Sequence, residues 1–137
     1  MKRIILFLGV LAAAFGANAQ TVNLTATNGL ALDTISAASS EFLTIGATGK
    51  IKANGSTSFI LTVTKISGTV AGTAVLQGSH NGSDWADVVT SYTITDGTQT
   101  KAFEYDKSKY LYYRIKVTNT TGSFSYKGTY YVTSYNF

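Results

Sequence analysis

Acid–base chemistry near neutral pH would have to pass through a single side chain. His80 is the only histidine among 137 residues, and the chain has no cysteine. A Ser/His/Asp relay would rest on His80 alone, and no Gly-x-Ser-x-Gly elbow stands anywhere to present its serine. There is no Gly-x-Gly-x-x-Gly and no Walker loop to cradle a phosphate. Glu41, Glu104 and the aspartates fall in no motif that nominates an acid/base pair. No catalytic residue and no cofactor is therefore expected. A transition-metal site lacks its second His or Cys. Asn81, Ser83, Asp84 and Asp87 carry oxygens of the kind that hold Ca²⁺, but at no recognised loop spacing. No metal is expected either.

Binding chemistry is better provided for. His80, Asn81, Asp84 and Trp85 cluster at one turn and form a candidate ligand loop. A Trp after a hairpin turn either offers a platform for a sugar ring or fills the core or rim of the fold; the expectation for Trp85 is the core or its rim. The segment Tyr110 to Thr118 alternates cleanly. Leu111, Tyr113, Ile115 and Val117 share one face and read as core. Tyr110, Tyr112, Arg114, Lys116 and Thr118 share the other, a stripe of aromatic and basic groups turned to solvent or a partner. The end of the chain also alternates, with Tyr131, Tyr135 and Phe137 on one face. That cluster either finishes the core as an edge strand or pairs with, or packs against, a neighbouring subunit. Tyr112, Arg114 and Lys116, together with Tyr131, Tyr135 and Phe137, are the candidate interaction surface.

These side chains need strands to position them, and the sequence supplies strands throughout. Val22, Leu24 and Ala26 alternate with polar partners. The runs Phe42–Ile45, Ser58–Ile66, Thr73–Gln77, Trp85–Thr95, Lys101–Tyr105, Tyr110–Thr118 and Ser123–Asn136 carry β-branched and aromatic residues bounded by turn signals. No stretch keeps an apolar repeat of 3.6 over three turns. Leu30 to Glu41, rich in Ser, Thr and Ala, reads as a loop with at most one turn of helix. Asn28-Gly29, Asn54-Gly55, Asn81-Gly82 and Asp96-Gly97 mark tight turns, and Asn119 to Gly122 is expected to separate the last two strands. Some seven to nine short strands at this spacing predict a single antiparallel β-sandwich, jelly-roll or Ig-like.

The first residues read differently. Lys2 and Arg3 precede an apolar stretch, Ile4 to Phe15, and Ala17-Asn18-Ala19 supplies the small-x-small pattern of a cleavage site. Residues 1–19 are expected to be a signal peptide and 20–137 the β-sandwich domain, since the apolar run is short of the roughly 20 residues that span a bilayer. An exported, cysteine-free domain would work in the periplasm, at the cell surface, outside the cell or on a virion. Two of the eleven basic residues lie in the leader, leaving nine against seven acidic ones. That is no footprint for nucleic acid.

A resemblance rests on Gly68-Thr69-Val70-Ala71-Gly72-Thr73-Ala74-Val75-Leu76-Gln77-Gly78-Ser79, then Asn81-Gly82-Ser83-Asp84-Trp85, then Tyr112-Tyr113-Arg114-Ile115-Lys116-Val117. This pattern resembles small β-sandwich proteins of tailed phages of Bacteroidetes, across roughly Phe59 to Tyr130. His80-Asn81 departs from the usual Asx-Asp before Gly82. The hairpin is also similar to those of discoidin-like carbohydrate-binding domains, and the Tyr110–Thr118 strand to fibronectin type III domains. The resemblance implies a non-enzymatic structural protein whose partners are other proteins or copies of itself, as a homo-oligomer. The discoidin-like likeness implies a module for cell-surface glycan. A third reading, a small outer-membrane β-barrel, takes the terminal Phe137 as its signal. Lipid-facing positions would then include Thr62, Thr64, Arg114 and Lys116, so membrane insertion is not expected.

Overall fold

The computed structural model describes residues 19–26, 32–44, 55–105 and 109–134. Among them it is all-β. The strands are β1 (Ala19–Asn23), β2 (Thr25–Ala26), β3 (Leu32–Ile35), β4 (Ser39–Thr44), β5 (Gly55–Ser79), β6 (Ala86–Asp87), β7 (Tyr92–Ile94), β8 (Gln99–Tyr105) and β9 (Tyr112–Ser134). The expected leader lies almost wholly outside the described residues; its last residue, Ala19, and Gln20 belong to β1.

Two strands organise the rest. β5 and β9 pair antiparallel along nearly their whole lengths, from Gly55↔Ser134 to Ser79↔Tyr112, with register shifts between Lys65 and Gly72. On one side of that irregularity, residues 57–63 of β5 pair outward with β8, and residues 124–133 of β9 pair outward with β1 and β3. On the other side, residues 72–79 of β5 pair with β6 and β7, and residues 114–119 of β9 pair with β4, which holds β2. The ribbon folds at the irregularity, so its two halves become the two layers of a sandwich.

The corner is built from glycine. Gly68 and Gly122 both have left-handed φ, 71° and 70°, and face each other across the ribbon. A Cβ on Gly122 would stand 2.8 Å from the Thr69 carbonyl oxygen, closer than real contacts allow. Asp96, from the β7–β8 turn, then staples the corner. Its carboxylate accepts from the Lys65 ammonium at 2.7 Å and from the Val70 N–H at 2.9 Å. Those two donors hold the carboxyl below the ordinary range.

The layers meet through alternate residues. Phe59, Leu61, Val63, Phe103, Phe124, Tyr126 and Tyr130 point in from the first; Leu43, Ala74, Leu76, Ile94, Tyr113, Ile115 and Val117 from the second; all are buried. The Phe59 and Tyr113 rings touch across the interior with centroids 5.6 Å apart. Gly128 leaves room for Leu24 and Leu43, whose Cδ1 atoms would crowd any Cβ there.

The expected single antiparallel β-sandwich is therefore what the chain forms, and several local expectations change. Leu32–Ile35 is a strand and not loop, turning into β4 through Ala38 at φ 58°. The strands expected at Ser58–Ile66 and Thr73–Gln77 are one bent strand, β5, and the described parts of those expected at Tyr110–Thr118 and Ser123–Asn136 fall on a second, β9, which begins at Tyr112. Trp85–Thr95 is broken into β6 and β7. Leu111 precedes β9 and is 50% exposed, so it is not core. Tyr110 lies against the core instead, its ring stacked on Gly78 and edge-on to Tyr113. Among the described residues the main path of the sheet runs unclosed from β2 to β6. No helix among the described residues is long and apolar enough to cross a membrane.

Candidate functional site

The outward face of the second layer collects the side chains that alternation keeps out of the core. One rung of the sheet crosses four strands there, because Thr44 of β4 pairs with Arg114 of β9, Arg114 with Gln77 of β5, and Gln77 with Asp87 of β6. Side chains on one rung are direct neighbours, and three of these are joined. The Arg114 Nε–H donates to Gln77 Oε1 at 2.8 Å, and the Gln77 amide donates to Asp87 Oδ1 at 2.8 Å. Gln77 is buried although it faces outward.

Two aromatic rings close over this row. Phe42, diagonal to Arg114 on β4, lies 3.9 Å from the guanidinium carbon to ring centroid. Trp85, just before β6 and of the same parity as Asp87, lies 4.1 Å from it. The guanidinium is thus held between Phe42 and Trp85, each contact worth about 0.5–1 kcal/mol at an exposed site and more where water is excluded. Partial burial draws its pKa below the ordinary arginine value, yet it stays charged at any physiological pH. Its terminal Nη groups have no acceptor among the described residues. Lys116, two residues on and of the same parity, has no ion-pair partner among them.

The adjoining loop is tied internally. Asn81 Oδ1 accepts from the N–H of Ser83 and of Asp84, both at 2.9 Å, and its amide donates to Asp84 Oδ2 at 2.7 Å. Ser79 Oγ accepts from the Gly82 N–H at 2.9 Å. Gly82, at φ 78°, sits beside the Tyr112 ring, where an added Cβ would come within 3.6 Å.

The structure thus merges two separately expected sites. Arg114 and Trp85 touch, Tyr112 borders the Asn81–Asp84 loop, and Lys116 shares their face. Trp85, expected in the core or at its rim, is half-buried on the outer face and outside the core cluster. His80 stands apart, its ring 4.8 Å from Tyr110. No three His, Cys, Asp or Glu residues converge among those described. Phe42, Gln77 and Asp87 were not expected at this site; the pairing of β4, β5 and β6 with β9 places them there, and no local pattern encodes that register.

The expected edge strand differs over the described part of the terminal cluster. β9 is not an edge strand over Thr129–Thr133, since it pairs with β5 on one side and β1 on the other. Its backbone is not open to a neighbouring subunit. Tyr131 is half-buried and of opposite parity to the buried Tyr130. Tyr135 and Phe137 lie outside the described residues.

No protein-family model matches the chain, and no curated protein does. Solved structures do resemble it. The Yersinia pseudotuberculosis-derived mitogen is 15% identical, with 89% of this chain and 90% of that one covered, at a TM-score of 0.49. The Clostridium thermocellum N-terminal endo-1,4-β-D-xylanase 10B, as its CBM22-1–GH10 modules complexed with xylohexaose, is 14% identical at a TM-score of 0.52. The match covers 90% of this chain and 28% of that one. At these identities the likeness is one of fold, that of a β-sandwich.

Proposed function

We propose that the chain is a non-enzymatic, exported glycan-binding module that engages its ligand on the outer face of the second layer. The observation that carries this reading is the guanidinium of Arg114 held between Phe42 and Trp85 on an otherwise polar sheet face. Rings outside the core, fixed in position and flanked by hydrogen-bonding groups, are what a sugar needs: its C–H faces pack on aromatic surface while its hydroxyls take polar partners. The xylohexaose-bound structure among the fold neighbours supports a trial of xylan oligomers first, at the level of fold alone. Protein assembly, the function the phage-like resemblance implies, is the second reading. Over Thr129–Thr133 both backbone edges of β9 are taken, so there an assembly contact would be made by side chains and not by strand pairing.

The test is frontal affinity or calorimetry with protein expressed from the full chain, against xylohexaose and a broad oligosaccharide array. Saturable binding by a monomer is expected. Trp85→Ala should weaken it by tenfold or more while moving the melting temperature little, because Trp85 is outside the core. A discrete oligomer in light scattering that retains no glycan would replace this reading with the assembly one.

A further inference from the structure

Resting on the glycan reading, we infer that the ligand is an acidic saccharide, a uronate whose carboxylate docks on the free Nη edge of Arg114. The guanidinium is fixed on three sides: Nε–H is committed to Gln77, and the two flat faces are covered by Phe42 and Trp85. What remains among the described residues is the planar pair of Nη groups, the edge that matches a carboxylate with two parallel hydrogen bonds. Gln77 is itself pinned by Asp87, so the edge is aimed before any ligand arrives.

Charge points the same way. The one ion pair among the described residues, Lys65 with Asp96, is at the corner. Arg114 is held partly out of water with a neutral amide, not a carboxylate, as its hydrogen-bond partner. Lys116 adds a second cation on the same face. Of the acids near the site, Asp87 is engaged by Gln77 and Asp84 by Asn81. A half-buried cation with no carboxylate in direct contact among the described residues is completed by a ligand that brings one. A uronate carries, in one ring, both the carboxylate that suits Arg114 and a C–H face for the side of the half-exposed Trp85 ring turned away from the guanidinium. An acidic peptide would supply the charge without the flat apolar face.

The experiment compares matched probes on protein from the full chain: oligomers of galacturonate, glucuronate and mannuronate, each beside the same oligomer with its carboxylates reduced to alcohols, and poly-glutamate. At least one acid oligomer should bind tenfold or more tighter than its reduced counterpart, with affinity falling as salt rises. Arg114→Lys, which keeps the charge and removes the fork, should erase most of that preference; Lys116→Met should weaken binding by a few-fold. Equal binding of acid and reduced forms would overturn the carboxylate inference and leave glycan binding standing. Poly-glutamate bound as tightly as the best acid oligomer would overturn it in favour of a protein ligand. Binding of no oligomer, acid or neutral, would remove the glycan reading with it.

Discussion

β9 carries two aromatic clusters that differ by one position in the chain. Tyr113 points inward, among Phe59, Tyr105 and Tyr110, with ring centroids 5.6–6.1 Å apart in tilted and edge-on geometries. Arg114, the next residue, points outward between Phe42 and Trp85. The inner cluster is made of rings that have lost water, and it holds the layers together. The outer one has a cation between its rings and a polar edge still in solvent. The difference teaches that aromatic content says little about role in a strand protein. Parity decides which rings fold the domain and which are left to bind.

The comparison is most directly broken from the inside. Phe59 is fully buried and touches both Tyr113 and Tyr130. Phe59→Ala should cost about 3–5 kcal/mol of unfolding free energy, the lost transfer energy plus the cavity left behind. Denaturant titration reads this directly. A loss below about 1 kcal/mol would mean that the inner cluster is not the core it is taken for.

A gentler probe uses the buried hydroxyl of Tyr130, which has no hydrogen-bond partner among the described residues. Burial, and then the neighbouring Tyr113, push its pKa from 10.0 up to about 12. In the unfolded chain Tyr130 ionises near pH 10, while the folded state resists. Its contribution to stability is therefore complete below pH 10 and declines as pH rises from 10 towards about 12. Melting temperature followed from pH 9 to pH 12 should fall, and Tyr130→Phe should flatten that fall. Identical slopes in both proteins would place the alkaline sensitivity elsewhere.

What the sequence made legible follows the same division. The period-2 alternation of Tyr112–Val117 separated core from surface correctly because a strand buried on one face must alternate. It failed at Leu111 and Tyr110, where the strand has not begun and parity has no meaning. Leu32–Ile35 was hidden because a four-residue strand of Leu, Asp, Thr and Ile has one fully buried residue, Ile35, and so no pattern to show. The corner was misread as turns because Gly68 and Gly122 signal left-handed backbone without saying whether the chain reverses or only bends. The sequence leaves Trp85 at the core or its rim because its neighbours fix no parity. Its place depends on β6 pairing with β5, a contact that composition does not encode.

The smallest expected effect is the sharpest test of what the outer cluster is. If the Phe42–Arg114–Trp85 stack were a structural clamp, removing its members would destabilise the fold as core substitutions do. If it is a surface arrangement held ready for a ligand, its internal energy is that of partly exposed cation–aromatic contacts, about 0.5–1 kcal/mol for the Arg114–Trp85 pair. A double-mutant cycle with Arg114→Met, Trp85→Ala and both together isolates that term from the separate effects of each change. Arg114→Met keeps much of the side-chain packing over Phe42, so the single cost should stay near 1 kcal/mol. A coupling of a few tenths to about 1 kcal/mol, beside the several kcal/mol of Phe59→Ala, would fix the contrast between the two faces. A coupling of 3 kcal/mol or more would make the stack a second core and leave the sheet face without a prepared site.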